Sequence, residues 1–312
     1  AAFWGRRPAW SGALSASALR LALFPAMPHY WLWFPLRVLL GAASETLFVL
    51  SETWLNALSS EQTRARAMGI YTAAMSVGFA LGPLLPSFVG TDGYLPYLTG
   101  GGLAVLAAFF VMAPAVHAPH IDKPEHSSPL RYMRLAPLAL AATALNAAIE
   151  TAGLTFLALY ALSLGWQEPQ ATQLMTCMML GAIVLQLPIG WLGDKTDRHR
   201  LVIILAGLAA LGALLWPLAL QSPVATYGLL FIWGGLFVGI YTIMLTIVGS
   251  RFKGSDLVGI YASMGLLWGF GALLGPVLAG AAMQVFTHGL TIFVSLVCAL
   301  FMIMAIRLKK NG

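Results

Sequence analysis

Apolar residues run along this chain in long stretches separated by short polar loops, without the alternation that marks strands. A membrane-crossing helix needs roughly 20 mostly apolar residues. By that measure the pattern predicts ten helices, at about 9–27, 31–55, 67–89, 95–115, 137–163, 171–192, 201–220, 224–249, 257–283 and 287–306. The missing alternation argues against a lipid-facing barrel and for an all-α polytopic membrane protein. Only one gap is long, the polar, Pro-bearing stretch around HAPHIDKPEHSSPLRYMR. It predicts an N-terminal bundle over 1–116, a linker over 117–136 and a C-terminal bundle over 137–312.

The charges test this topology. With the N-terminus placed in the cytoplasm, alternation puts 15 of the 17 basic residues on the cytoplasmic side: Arg6, Arg7, Arg64, Arg66, Lys123, Arg131, Arg134, Lys195, Arg198, Arg200, Arg251, Lys253, Arg307, Lys309 and Lys310. The other two, Arg20 and Arg37, fall inside helices. This is the positive-inside bias of a multi-pass protein of the inner membrane, with N-terminus, linker and C-terminus all cytoplasmic. Arg6-Arg7 ahead of an apolar run also fits a targeting signal, but Arg20 interrupts that run and nine further spans follow.

Composition closes off the soluble classes. Asp, Glu, Lys and Arg make up 9% of the chain, against about 25% in soluble domains. Hydrophobic residues make up 59%, and the mean hydropathy is +0.83. A chain of this length cannot enclose that much apolar surface and still face water. A soluble enzyme, a disordered scaffold and a secreted disulfide module are thereby excluded. Cys177 and Cys298 lie in apolar runs and imply no disulfide framework. The net charge of +6 follows from the loop bias and needs no nucleic acid.

An internal repeat sharpens the picture. Gly69-Ile70-Tyr71 recurs as Gly259-Ile260-Tyr261, and Gly78-x-x-x-Gly82-Pro83 as Gly271-x-x-x-Gly275-Pro276, at offsets of 190 and 193. Arg6 matches Arg198 at 192, after Gly5 and Gly190-Trp191-Leu192-Gly193-Asp194 respectively. Echoes at nearly one offset mean two homologous halves, as in many transporters. The same offset places the opening of the first half some 55 residues before Ala1. The expectation is therefore that the first two helices of a twelve-helix pattern are missing and that 9–27 is its third.

These residues resemble the major facilitator superfamily. Gly190 to Arg200 (GWLGDKTDRHR) is similar to the family's G-x-x-x-D-x-x-G-R-R loop, departing at Asp197 and His199, and Gly5-Arg6-Arg7-Pro8 is similar to the tail of the first-half copy. Arg37-Val38-Leu39-Leu40-Gly41 resembles the R-x-x-x-G element of the fourth family helix. Gly69-x8-Gly78-x3-Gly82-Pro83 resembles the antiporter motif, with Pro86 where its last glycine belongs. Glu52-Thr53-Trp54-Leu55-Asn56 with Arg64-Ala65-Arg66 resembles a bacterial subgroup of the superfamily. The resemblance spans the whole chain and implies a two-bundle carrier working by alternating access.

Several residues carry the expected chemistry. Gly78 with Gly82, and Gly271 with Gly275, offer flat strips for close helix approach, and the prolines that follow bend the helix; the strips serve as hinge faces or as plain packing. Gly5, Arg6, Arg7, Gly190, Asp194, Arg198 and Arg200 form loop clusters in which Asp194 pairs with the arginines and caps a helix end, latching one face shut; the plain reading is a solvated charge run. A charge at mid-membrane costs about 2.5–3.5 kcal/mol, so Arg20, Arg37, Glu45, Glu52 and Glu150 need a cavity or a partner. Arg37 and Glu45 share a helix, about 80° and 12 Å apart, and Glu45 and Glu52 lie nearly on one face. Asn146 and Glu150 are one turn apart. The family resemblance makes the fourth, seventh and tenth helices cavity-lining, which adds Trp233, Tyr241 and Thr242.

Glu52, near a loop, is expected to pair with an arginine such as Arg6 or Arg64. Glu45 and Glu150 are the candidates for proton coupling, and the plain alternative is a static ion pair fixing helix packing. Proton entry across 100 mV releases about 2.3 kcal/mol, which release of Glu45 from Arg37 would convert into motion. His117, His120 and His126 with Asp122 and Glu125 sit in the linker and read as a solvated tether, with no metal or other cofactor.

The expected function is a secondary carrier that exports a small organic solute in exchange for protons, as a monomer in the lipid bilayer. Proton-coupled import and uniport remain open, as does a non-transporting membrane partner or truncated product. No Walker loop, HExxH or GxSxG occurs, so neither ATP-driven pumping nor an intramembrane enzyme is expected.

Overall fold

A computed structural model describes residues 31, 33–82, 85–90, 93–112 and 129–310. All regular structure among them is helical. The elements are α1 (Trp33–Leu58), α2 (Arg64–Leu81), α3 (Leu85–Val89), α4 (Leu95–Met112), α5 (Pro129–Leu135), α6 (Pro137–Ser163), α7 (Glu168–Val184), α8 (Gln186–Lys195), α9 (Arg198–Ala219), α10 (Pro223–Arg251), α11 (Gly254–Val285) and α12 (Gly289–Lys310).

Among the described residues seven helices are long and apolar enough to cross a membrane, α7 and α8 together counting as one from Gln173 to Lys195. Nine of the ten predicted spans map onto these elements, two of them, 67–89 and 171–192, each onto a pair of helices. The predicted helix at 9–27 lies outside the described residues. The predicted span at 67–89 is divided into α2 and α3, and α2 opens with two arginines. In α4 the apolar run, Leu95–Phe110, falls short of a span. The last turns of the predicted linker form α5. Arg131 there pairs with Asp256 at 3.4 Å, and Tyr132 is buried against Gly259.

Local chemistry explains the boundaries. Prolines open α6 and α10, where their missing N–H groups cost nothing and φ is already helical. Asp197 caps α9 by accepting a hydrogen bond from the Arg200 N–H at 2.8 Å. Leucines stud the outer faces, as on α9 (Leu208, Leu211, Leu214, Leu218), while Trp233, Tyr160, Tyr261 and Phe237 fill the interior. That distribution suits hydrocarbon as the solvent, where outward leucines cost nothing.

Small residues set the closest crossings. A β-carbon on Gly271 would overlap the Ala144 carbonyl, and one on Gly275 the Ala148 carbonyl, so α11 rests on the backbone of α6. A β-carbon on Gly69 would lie 2.5 Å from the Gln186 carbonyl oxygen, and one on Gly190 2.7 Å from that of Ala65. The seam of α2 against α8 therefore joins the first repeat to the second. Gly78 and Gly82 meet nothing within 4 Å among the described residues, and Pro83 lies outside them. Pro276 sits within α11, which runs on through it.

Candidate functional site

A cavity of about 500 Å3 lies where α1, α2, α6, α10 and α11 converge. From α1 it receives Gly41, Ser44, Glu45, Phe48 and Glu52, spaced so that successive turns present one face. From α2 come Thr72, Met75, Ser76 and Phe79, and from α6 come Thr143, Asn146 and Glu150. Val238 and Tyr241 of α10 and Tyr261, Gly265, Trp268 and Gly269 of α11 complete the wall. Three carboxylates thus share one mostly apolar chamber, the form expected of a small-molecule site.

Each carboxylate is held differently. Glu45 lies against Gly265, where any side chain on α11 would collide with its carboxylate. Glu52 is buried and accepts a hydrogen bond from the Tyr241 hydroxyl at 2.7 Å. Glu150 has Asn146 one turn before it, with the amide nitrogen 3.5 Å from its Oε2. Among the described residues nothing hydrogen-bonds the buried Asn146 Oδ1.

Beyond Glu52, toward the face where Arg64, Arg66 and Arg198 cluster, the chamber is floored by a polar layer. Asn56 donates to the Tyr261 hydroxyl at 2.5 Å, and that hydroxyl donates to the Leu245 carbonyl at 3.0 Å. Ser51 and Tyr71 share a hydrogen bond of 3.1 Å. Thr72 and Thr242 are 2.8 Å apart, and Thr242 donates to Gln186 at 2.7 Å. The repeated Gly-Ile-Tyr element thereby gains a use that its glycines do not suggest, since Tyr71 and Tyr261 both reach α1.

A second layer closes the same face. Asp194 accepts from the backbone N–H groups of Ala65 and Arg66 at 2.8 and 3.1 Å, and the Arg66 Nε lies 3.6 Å away. Arg198 pairs with Glu61, donates to the Glu61 carbonyl at 2.8 Å and to the Gly193 carbonyl at 3.2 Å. Arg64 pairs with the other oxygen of Glu61. Partial burial pushes the Glu61 carboxyl up, but the Arg198 hydrogen bond and the charges of both arginines outweigh it and hold it below the usual carboxylate range.

The structure brings Glu45, Asn146, Glu150 and Tyr241 together as expected and rearranges the rest. Glu52 belongs to the cavity and bonds Tyr241, while Arg64, its expected partner, is engaged by Glu61. Arg37 is an exposed residue of α1 and does not line the chamber that holds Glu45. Trp233 is a core residue: its ring packs 4.8 Å from Trp216 and 4.9 Å from Phe237, and its N–H donates to the Ala209 carbonyl at 2.8 Å. Asp194 caps α2 and pairs with Arg66, whereas Arg200 pairs with Asp197 at 3.8 Å. Gly5, Arg6, Arg7 and Arg20 lie outside the described residues. Sequence reasoning passed over Phe48, Glu61, Tyr261 and Trp268, of which only Tyr261 carried a signal, the repeat.

The family model of the Major Facilitator Superfamily matches residues 1–171 and again 138–311. The chain is 29% identical over 283 residues to the uncharacterized MFS-type transporter YfkF of Bacillus subtilis, covering 88% of this chain and 72% of that protein. It is 26% identical over 289 residues to the uncharacterized MFS-type transporter YcaD of Escherichia coli, with 92% and 74% covered. The fold is similar to that of the E. coli fucose:proton symporter, with a TM-score of 0.77 and 17% identity, over 96% of this chain and 83% of that one. It is also similar to the human organic anion transporter TETRAN, with a TM-score of 0.74 and 16% identity, over 96% and 77%. Two neighbours with such different solutes show that the fold alone does not select a substrate. The chain belongs to the Major Facilitator Superfamily, whose members are multi-pass membrane transporters and not enzymes.

Proposed function

We propose that the protein is a secondary carrier exchanging a small organic solute against protons across a bacterial inner membrane, by rocking an N-terminal and a C-terminal bundle about the chamber. The basic loop clusters face the cytoplasm, and the carrier works as a monomer. The observation that carries the reading is the placement of Glu45, Glu52 and Glu150 in one chamber whose floor and loop-side seam are both closed. A carboxylate in such a chamber holds either a proton or a solute group, which is the elementary requirement of exchange. Glu45 and Glu150 are the coupling groups, and the seam of α2 against α8 is the moving contact.

The test is reconstitution in liposomes containing a pH-sensitive dye, with a panel of solutes. Solute-driven proton movement is expected in the native protein and is lost in Glu45→Gln and Glu150→Gln, with both variants folded. Unchanged flux in both ends the assignment. The sign of the pH change separates exchange from symport, the activity in the name of the fucose:proton symporter.

A further inference from the structure

We propose that α5 is a lipid anchor, whose outward face binds the headgroups of anionic phospholipids at the surface of the bilayer. The anchor is independent of what the chamber carries. The membrane-crossing helix α6 (Pro137–Ser163) begins two residues after α5 ends, so α5 lies at the boundary between hydrocarbon and water. Its inner face is fixed by protein. The Tyr132 phenol fills the notch left by the missing side chain of Gly259 and is 5% exposed. Arg131 pairs at 3.4 Å with Asp256 in the first turn of α11. The Ala136 N–H donates to the Tyr132 carbonyl at 3.0 Å, so the docked turn leads directly into α6.

The outer face is different. Arg134 stands about 200° around the helix from Tyr132, is exposed, and forms no ion pair among the described residues. Met133 and Leu135 on either side of it in sequence are 43% and 41% exposed. A guanidinium between two exposed apolar side chains, on a helix at the membrane boundary, matches a phospholipid. The guanidinium meets phosphate, and the apolar side chains meet the upper acyl chain. Water alone gives the apolar pair no burial, and hydrocarbon alone strands the charge. The surrounding field has the same sign. Arg131 and Asp256 cancel, whereas Arg251 and Lys253, in the turn from α10 into α11, are exposed and form no ion pair among the described residues. That excess selects anionic over zwitterionic headgroups. The anchor fixes the base of α6 relative to the bilayer surface.

The experiment uses the full chain in phosphatidylcholine nanodiscs, with Cys177 and Cys298 replaced by alanine and a bimane fluorophore attached through Met133→Cys. Quenching is titrated with phosphatidylglycerol brominated on its acyl chains and, separately, with equally brominated phosphatidylcholine. Half-maximal quenching is expected at a mole fraction of the anionic lipid about fivefold or more below that of the zwitterionic one, because each surface cation adds about that factor. Arg134→Gln reduces the preference by about fivefold, and Arg134→Lys, which keeps the charge, restores it. Both substitutions fall on an exposed side chain and leave the docked face of α5 intact. Equal quenching by the two lipids, or a preference unaltered in Arg134→Gln, overturns the proposal. Quenching by neither lipid also overturns it, and places the outer face of α5 toward water and a soluble acidic partner.

Discussion

The carboxylate of Asp194, at the end of α8, accepts a hydrogen bond at 2.8 Å from the backbone N–H of Ala65 in the first turn of α2. The two residues stand 129 positions apart and belong to different halves of the repeat. The first turn of a helix carries N–H groups without intrahelical acceptors and the positive end of the dipole, so a buried carboxylate supplied by another helix both satisfies and neutralises it. The bond therefore exists only while the two halves meet on this face.

Removing that carboxylate is expected to open the face. Asp194→Asn keeps an acceptor and loses the charge, and Asp194→Ala loses both, at a cost of about 1–2 kcal/mol that shifts the closed population roughly tenfold. Disulfide formation between Gln62→Cys and Thr196→Cys, with Cys177 and Cys298 replaced by alanine, reads the closure. Crosslinking should slow in the order native, Asn, Ala. Equal rates in all three would mean that Asp194 is not a latch.

The glycines of the same seam make a paired prediction. Alanine at Gly69 or Gly190 places a methyl group 2.5 or 2.7 Å from a facing carbonyl oxygen, and overpacking of that kind costs about 1–3 kcal/mol. Alanine at Gly78, where an added β-carbon meets none of the described residues within 4 Å, should be neutral or gain up to about 1 kcal/mol of helix propensity. Thermal melting in nanodiscs together with the crosslink rate checks both. Gly69→Ala and Gly190→Ala lose closure; Gly78→Ala keeps it.

The contrast between Gly69 and Gly78 also marks what the sequence makes legible. Repetition pointed to both as small residues in a helix, but which side of α2 meets another backbone depends on tertiary packing. Helix extents were readable where chemistry marks them: α6 spans its predicted 137–163 because Pro137 opens it. The break between α7 and α8 at Leu185 was not, since the apolar run continues through it. Trp233 and Tyr241 sit on one helix, about 80° apart, enough to turn one ring into the core and the other into the chamber. Glu52 followed the same logic. Its shared face with Glu45 was visible, whereas its partner, Tyr241, comes from a helix 189 residues away.

That partnership separates two roles within the chamber. Tyr241→Phe leaves a buried carboxylate without its donor and should destabilise the protein by about 1–3 kcal/mol. Glu52→Gln still offers Tyr241 an acceptor and should fold with near-native stability. Because Glu52 is already engaged, Glu52→Gln should reduce solute-driven proton movement in proteoliposomes less than Glu150→Gln does. The reverse order would make Glu52, not Glu150, a coupling group.

Glu61 gives the loop-side closure a pH dependence of defined sign. Held between Arg64 and Arg198, its carboxyl sits below the usual range, so its contribution to the closed state is complete at neutral pH. That contribution is lost as the pH falls through the depressed value, below the ordinary glutamate value of about 4.3. The side chain is 56% exposed, so the effect is modest and weakens with salt. Spin labels at Gln62→Cys and Thr196→Cys should report a separation that is constant from neutral pH to the ordinary carboxylate range and widens below it. Glu61→Gln removes the ion pairs at every pH, so the difference between the two titrations, rather than either curve alone, isolates Glu61. Superimposable titrations would show that Asp194 and the glycine seam hold this face without it.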